Sequence, residues 1–431
     1  MELSVIVLIV SFVILLSLSV PIAYSIGIST ILTMLFTISS APAVTTVAQR
    51  MATGIDSFAL LAIPFFILSG LLMGKGGIAR RLIDFAKVLV GMFPGGLAYV
   101  NVVACMFFGA ISGSAVAATS AIGGFMIPIM NKEGFDKDFN TAVTVSASTT
   151  GLLIPPSNIL IVYSLASGGV SIAALFIAGY LPGFLVGLGL IFVAAVLSII
   201  RKYPVGERQG VIDGLKKLLD AVPSLLLIVI VIGGIIAGIF TATEASAVAV
   251  LYSLLLSVVF YKEVKVKELP AILIQTVETT AIVMLLIGTS SAMSWILSYE
   301  NIPQNISESL IALTDSRIVI LLIINLILLV VGTFMDMTPA VLIFTPIFLP
   351  IVTQLGITPL HFGIIMVLNL SIGLLTPPVG SVLFVGCGIG KTSIMSLSKS
   401  LLPFYIVMFA VLLIVTFFPW FSLALPRLFG F

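Results

Sequence analysis

Five stretches of this chain, 175–200, 222–240, 245–261, 279–297 and 403–422, contain no charged residue at all. Each is long enough to cross the hydrocarbon of a bilayer, which takes about 20 apolar residues in a helix. Within a bilayer every backbone N–H and C=O must be bonded inside the protein, which leaves helices or closed barrels. The apolar runs here are continuous rather than alternating, so helices are expected. Composition agrees: 60% of the 431 residues are hydrophobic and 8% are charged, against roughly 25% charged in soluble domains. The fold class expected is therefore an all-α integral membrane protein. Residues 1–20 are apolar but carry the acidic Glu2. A cleaved leader has a basic start and a shorter apolar core, so this stretch reads as the first membrane helix.

The net charge of +2 points to no nucleic-acid partner. Cys105 and Cys387 lie in apolar surroundings and read as small core residues rather than a disulfide or metal pair. His361 is the only histidine, too little for a metal centre. Glu244 and Glu278 fall near the ends of apolar segments and read as interface or helix-packing residues.

The basic residues fix an orientation. One side collects Lys75, Arg80, Arg81, Lys87, Lys132, Lys137, Arg201, Lys202, Arg208, Lys216, Lys217, Lys262, Lys265, Lys267, Lys391 and Lys399, and the other only Arg50, Arg317 and Arg427. Basic loops stay in the cytoplasm. The split holds only if two apolar stretches, about 95–130 and 317–352, turn back without crossing. Re-entrant hairpins are tolerated only inside protein or beside a water-filled cavity.

An internal repeat explains the pair of hairpins. Shifted by 222 positions, GLLIPPS at 151–157 falls on GLLTPPV at 373–379, and without a gap Ala118 falls on Ala340, Pro128 on Pro350, Ile129 on Ile351 and Gly134 on Gly356. Five spans separate the two hairpin tips, about 139–166, 171–200, 222–240, 243–261 and 276–297. An odd number puts the copies in opposite orientation. Inverted repeats with interrupted helices mark secondary transporters, with substrate and ion sites near the midplane.

Each copy carries two devices. One is a hairpin tip, Gly109–Ala110–Ile111–Ser112–Gly113–Ser114 or Gly332–Thr333–Phe334–Met335–Asp336–Met337–Thr338. The other is a helix broken at Pro155–Pro156 or Pro377–Pro378, because proline lacks a donor and clashes with the preceding turn. The carbonyls of Gly151, Ile154, Gly373 and Thr376 are the candidates to lose their partners and to meet a hard cation. Ser157 and Asn158 suit an N-cap on the restarting helix, whose positive end favours an anion. A Pro–Pro pair alone can simply kink a helix, and Ser/Gly clusters can serve close packing; it is the coincidence of tip, break and inverted duplication that points to a site. Asp336 is the only carboxylate in either tip, and an ionisable residue at membrane depth is a functional candidate. It can also be read as the cap of its own half-helix. Its counterpart is Ser114.

These motifs resemble the large membrane subunit of the TRAP (tripartite ATP-independent periplasmic) transporters. The resemblance is carried by IPFFILSGLLMGKGG (63–77), ISGSAVAATSAIGGFMIPIM (111–130), TTGLLIPPSN (149–158), GTFMDMTPAVLIFTPIFLPI (332–351) and GLLTPPVG (373–380), and spans essentially the whole chain. It implies an inverted-repeat elevator in the bacterial inner membrane, with sodium driving uptake of a small organic anion. It also implies a periplasmic substrate-binding protein and a small four-helix membrane subunit, here expected as a separate chain because no extension precedes residue 1. Membrane lipid surrounds the complex. No cofactor besides the coupling ion is expected. The resemblance divides the chain into N-terminal scaffold and arm (1–92), a first transport half (93–170), scaffold and arms (171–314), a second transport half (315–392) and a C-terminal helix (393–431).

Carried onto this sequence, one sodium site involves Ala110, Ser112, Gly113, Ser114, Gly151, Ile154, Ser157 and Asn158. The other involves Gly332, Thr333, Gly373, Thr376 and Val379. Asp336, Ser112, Ser114 and Asn158 lie nearest the substrate. Sialic acid (N-acetylneuraminate) is the substrate favoured, with C4-dicarboxylates or other sugar acids as the alternative. An ion channel would need polar rings along a path, and the polar groups cluster at two breaks instead. An enzyme is not expected: Ser112 and Ser114 have no histidine within their repeat, and Asp336 has no second carboxylate to face.

Overall fold

The computed structural model describes residues 3–206, 210–314, 316–377 and 379–431. The first half of the chain forms α1 (Leu3–Ser17), α2 (Ile22–Thr37), α3 (Ser40–Ile55), α4 (Ala62–Lys75), α5 (Ile78–Val90), α6 (Gly96–Ser112), α7 (Ala115–Lys132), α8 (Lys137–Ser148), α9 (Asn158–Ala166) and α10 (Ile172–Ile200). The second half forms α11 (Val211–Ile236), α12 (Ala242–Leu254), α13 (Leu269–Tyr299), α14 (Ile302–Leu313), α15 (Arg317–Phe334), α16 (Met337–Gln354), α17 (Pro359–Gly373), α18 (Ser381–Gly390), α19 (Ile394–Phe417) and α20 (Trp420–Leu428). Eight helices of the described chain are long and apolar enough to cross a membrane. The all-α reading is borne out.

The 222-residue repeat governs the helix boundaries themselves. Ser114 and Asp336, one shift apart, are the N-caps of α7 and α16, and those helices end one shift apart at Lys132 and Gln354. Helix α8 starts at Lys137 and α17 at Pro359. Helices α10 and α19 start at Ile172 and Ile394, each after a serine whose hydroxyl accepts a backbone N–H: Ser171 from Ala174 at 3.3 Å, Ser393 from Ser396 at 3.2 Å. The duplication thus reaches well past the motifs that reveal it. It includes the outer helices, where α2 packs on α13 and α4 on α12, the same pairing with the copies exchanged.

The two copies run in opposite directions. The base of the first hairpin, α6–α7, shares one end of the molecule with the close of α18, where Lys137 Nζ donates to the Lys391 carbonyl at 3.2 Å and Asp138 accepts from Thr392 and Ser396. From there α8 and α9 run to the other end. There Tyr163 OH donates to the Pro359 carbonyl at 2.6 Å, beside the start of α17 and the base of the second hairpin, α15–α16. Helices α17 and α18 then return to Lys391. One hairpin opens at each end, as an odd number of spans requires. The end holding Lys137, Arg201 and Lys391 is the basic one, hence cytoplasmic by the charge rule.

Candidate functional site

Both breaks form where the proline pairs predict them. Helix α8 tightens into a 3-10 turn at Thr149–Leu152, the chain leaves helix through Pro155 and Pro156, and α9 restarts at Asn158. The Pro155–Pro156 peptide is cis. In the second copy α17 ends at Gly373 and α18 begins at Ser381, with Pro377 between them; Pro378 lies outside the described residues. Of the four carbonyls expected to be orphaned, that of Gly373 instead accepts the Thr376 N–H at 2.9 Å, closing a local turn. Those of Gly151, Ile154 and Thr376 accept no hydrogen bond among the described residues.

Each tip is seated on the break of its own copy, and glycines make that possible. A Cβ on Gly151 would fall 2.9 Å from the carbonyl carbon of Gly109, and one on Gly373 would fall 2.6 Å from Gly332 Cα. Real Cβ atoms do not approach backbone that closely, so only glycine lets α6 touch the first break and α15 the second. Gly113 turns the first tip in the left-handed region, φ +60°, against Pro156, Ser157 and Asn158.

The predicted residues are therefore brought together in two sets. In the first, Ser112 is buried and its hydroxyl makes only a long 3.5 Å contact to the Ser114 carbonyl, while Ser114 Oγ accepts from the Ala117 N–H. Ser157 holds the N-cap position of α9, but its hydroxyl does not cap it. It donates back across the break to the Leu152 carbonyl at 2.7 Å, because that carbonyl lost its helical donor to the prolines. Asn158 Oδ1 is buried without a partner among the described residues. Ala110 lies at the edge of the set, facing Phe66, Ser69 and Leu227 of the outer helices.

In the second set Thr333 carbonyl accepts from the Val379 N–H at 3.2 Å, Gly332 lies on Gly373, and the Thr376 hydroxyl donates to the Ile372 carbonyl at 2.9 Å. Asp336 is exposed at the tip, and Ser381 Oγ, at the start of α18, donates to its Oδ1 at 3.4 Å. It makes no hydrogen bond to Ser112, Ser114 or Asn158 among the described residues. Helix α7 packs on α18 and α16 on α9, which sets the two tips side by side. Four helix N-termini, those of α7, α9, α16 and α18, begin at the tips and breaks. Their free N–H groups suit anionic oxygens, and the unbonded carbonyls suit a cation. Among the described residues there is no cluster of three His, Cys, Asp or Glu fit for a metal.

Spacing alone did not single out the polar ties that hold each hairpin to its broken helix. Asn101 Nδ2 on α6 donates to Thr144 Oγ1 at 2.7 Å, and Thr119 on α7 donates to Ser148 at 2.7 Å. In the second copy Asn369 Nδ2 donates to both the carbonyl and the Oδ1 of Asn325 at 2.8 Å. A signal was present: six of the ten residues in 141–150 are Ser or Thr, and the structure buries all six. His361 has a packing role, with Nδ1 2.6 Å from Ser422 Oγ. The substitution Asn369→Leu keeps the branched shape but strands the buried Asn325 Oδ1, and is expected to cost about 1–3 kcal/mol. The melting temperature of detergent-purified protein checks this.

A profile of the family described as "Tripartite ATP-independent periplasmic transporter, DctM component" matches residues 9–421. The chain belongs to this family. The permease is 54% identical to the uncharacterized protein YgiK of Salmonella typhimurium, covering 99% of this chain and 98% of that one. It is 42% identical to the C4-dicarboxylate TRAP transporter large permease protein DctM of Vibrio cholerae (95% and 94% covered) and 40% identical to the sialic acid TRAP transporter large permease protein SiaM of the same organism (89% of each). Its fold is like that of the Alcanivorax borkumensis YdaH transporter, with a TM-score of 0.59 over 89% of this chain and 88% of that chain at 15% identity. The permease is thus a multi-pass membrane component of a tripartite transporter of organic acids, not an enzyme. It works with a periplasmic binding protein and a small membrane subunit.

Proposed function

We propose that the permease couples sodium entry to uptake of an organic acid across the inner membrane, with the two tip-and-break sets as its ion sites and the space beside Asp336 as its substrate site. The observation that carries this reading is the inverted pair of breaks, each with unbonded carbonyl oxygen on one side and a helix N-terminus on the other. Sodium needs only oxygen ligands. At the first break the carbonyls of Gly151 and Ile154 and Oδ1 of Asn158 are available, with the hydroxyls of Ser112 and Ser114 close by. At the second, the carbonyl and the hydroxyl oxygen of Thr376 and the backbone of Gly332, Thr333 and Val379 are. A bound cation beside each break would in turn attract the substrate anion, for which the four helix ends supply N–H donors.

The moving body in this reading comprises α6–α10 and α15–α20, and the frame α1–α5 and α11–α14. Helix α10 is counted with the body because it packs on α6, α8, α9, α17, α19 and α20. The copies differ in exposure. Ser120 and Gly124 on α7 and Phe384 and Gly388 on α18 are exposed, between the tips and the basic end. One shift away, Leu342 and Pro346 on α16 and Val162 and Ala166 on α9 are buried or half-buried. A face on which Phe384 is interspersed with Ser120, Gly124 and Gly388, with a carboxylate nearby, is more polar than a lipid-facing one, which supports a crevice open to the cytoplasm and closed on the periplasmic side. With Cys105 and Cys387 replaced by serine, Ser120→Cys and Gly388→Cys are expected to react several-fold faster than Leu342→Cys and Val162→Cys with a thiol reagent applied from the cytoplasmic side.

N-acetylneuraminate is the substrate proposed. Asp336 would accept hydrogen bonds from its hydroxyl and amide groups, whereas a plain dicarboxylate would meet that carboxylate with charge of the same sign. The second reading, a C4-dicarboxylate, is favoured by the 42% identity to DctM. Uptake into proteoliposomes holding the permease with its small subunit and binding protein decides between them. Sodium-dependent uptake of N-acetylneuraminate but not succinate is expected, and the reverse preference would replace the first reading by the second.

A further inference from the structure

We propose that a cavity at the basic end, between the two segments that join frame to hairpin body, holds the headgroup of a zwitterionic phospholipid bearing a primary ammonium. The cavity measures about 240 Å³, and its walls include Lys87, Gly91, Leu97, Glu133, Phe135 and Val205. Gly91 opens the link from α5 to α6, and Val205 belongs to the link leaving α10. The two links are tied to each other: Gly95 N–H donates to the Pro204 carbonyl at 3.0 Å, and Pro94 and Val205 form an antiparallel bridge. The cavity therefore sits in the joint itself.

Its charges specify the ligand. Lys87 occupies the last turn of α5 and Glu133 the C-cap of α7. They line one cavity, yet among the described residues they form no ion pair. Opposite charges held apart across a cavity fit a molecule that carries both, with phosphate toward the lysine and ammonium toward the carboxylate and the carbonyl ends of the two helices. The surroundings point to a lipid rather than a solute. Val205 in the cavity wall is 64% exposed, and Met92 and Phe93 in the link from α5 to α6 are 45% and 48% exposed, an apolar rim at the cytoplasmic interface against which acyl chains would lie.

Titration of the delipidated full-length permease in detergent with short-chain phosphatidylethanolamine, followed by native mass spectrometry, tests this. Short-chain phosphatidylglycerol and glycerophosphoethanolamine serve as the other arms. Saturation at one phosphatidylethanolamine per chain is expected, about tenfold tighter than phosphatidylglycerol, with Lys87→Gln and Glu133→Gln each weakening it by a similar factor. Glu133 is exposed, so its amide variant keeps the fold, and an unchanged elution volume verifies that. Equal binding of phosphatidylglycerol, equally tight binding of the soluble headgroup, or an unchanged affinity in Glu133→Gln would each overturn the proposal.

Discussion

Asp336→Ala is expected to lower uptake by about a hundredfold or more, equivalent to roughly 2.7 kcal/mol of lost interaction, while the permease stays folded. The carboxylate stands at the second tip, exposed, and Ser381 Oγ donates to it at 3.4 Å. A carboxylate at membrane depth is costly, and neither the packing of α16 nor that bond requires it. Asp336→Asn separates function from structure. Asparagine caps a helix about as well as aspartate, so if capping α16 were the whole role, the variant would transport normally. Loss of uptake in both variants, with unchanged melting temperature, is the outcome expected. Full activity in the asparagine variant would reduce Asp336 to a cap.

The second large effect concerns the two glycine contacts. Gly151→Val and Gly373→Val would each drive a side chain into the backbone of the facing hairpin helix, with carbon–carbon approaches of 2.9 and 2.6 Å already at Cβ. Backbone on both sides leaves nothing flexible to swing away. Overpacking of this kind costs about 1–3 kcal/mol, and here it also lifts the tip off its break. Both variants are expected to lose uptake and to melt at lower temperature. Gly233→Ala on α11, where an added Cβ meets nothing within 4 Å, should leave both unchanged. Wild-type uptake in either valine variant would show that tip and break need not touch.

Much of this architecture is legible in the sequence, for identifiable reasons. Proline removes a backbone donor and clashes with the preceding turn, so both interruptions fall where the proline pairs place them. Ungapped alignment of Pro128 on Pro350 fixes the copy boundaries because proline and glycine carry backbone constraints. The outer helices keep the same pairing, α2 on α13 and α4 on α12, with little identity, since lipid-facing positions accept nearly any apolar residue. The turn of Gly373 into a local bond, and the reach of Ser157 back to Leu152, depend on how the chain folds within the break, which proline content does not specify. Asn325 and Asn369 lie 44 positions apart in separate apolar helices; only packing shows that they meet. Substrate choice is the least legible part, because the residues around Asp336 offer backbone donors and one carboxylate rather than a shaped pocket.

Equilibrium binding of radiolabelled sodium to the purified permease reaches the central claim without requiring transport. Saturable binding is expected, reduced by Ser112→Ala at the first break and, separately, by Thr376→Ala at the second. If sodium did not bind at all, or bound unchanged in the doubly substituted protein, the paired interruptions would be kinks and the coupling ion would have to sit elsewhere.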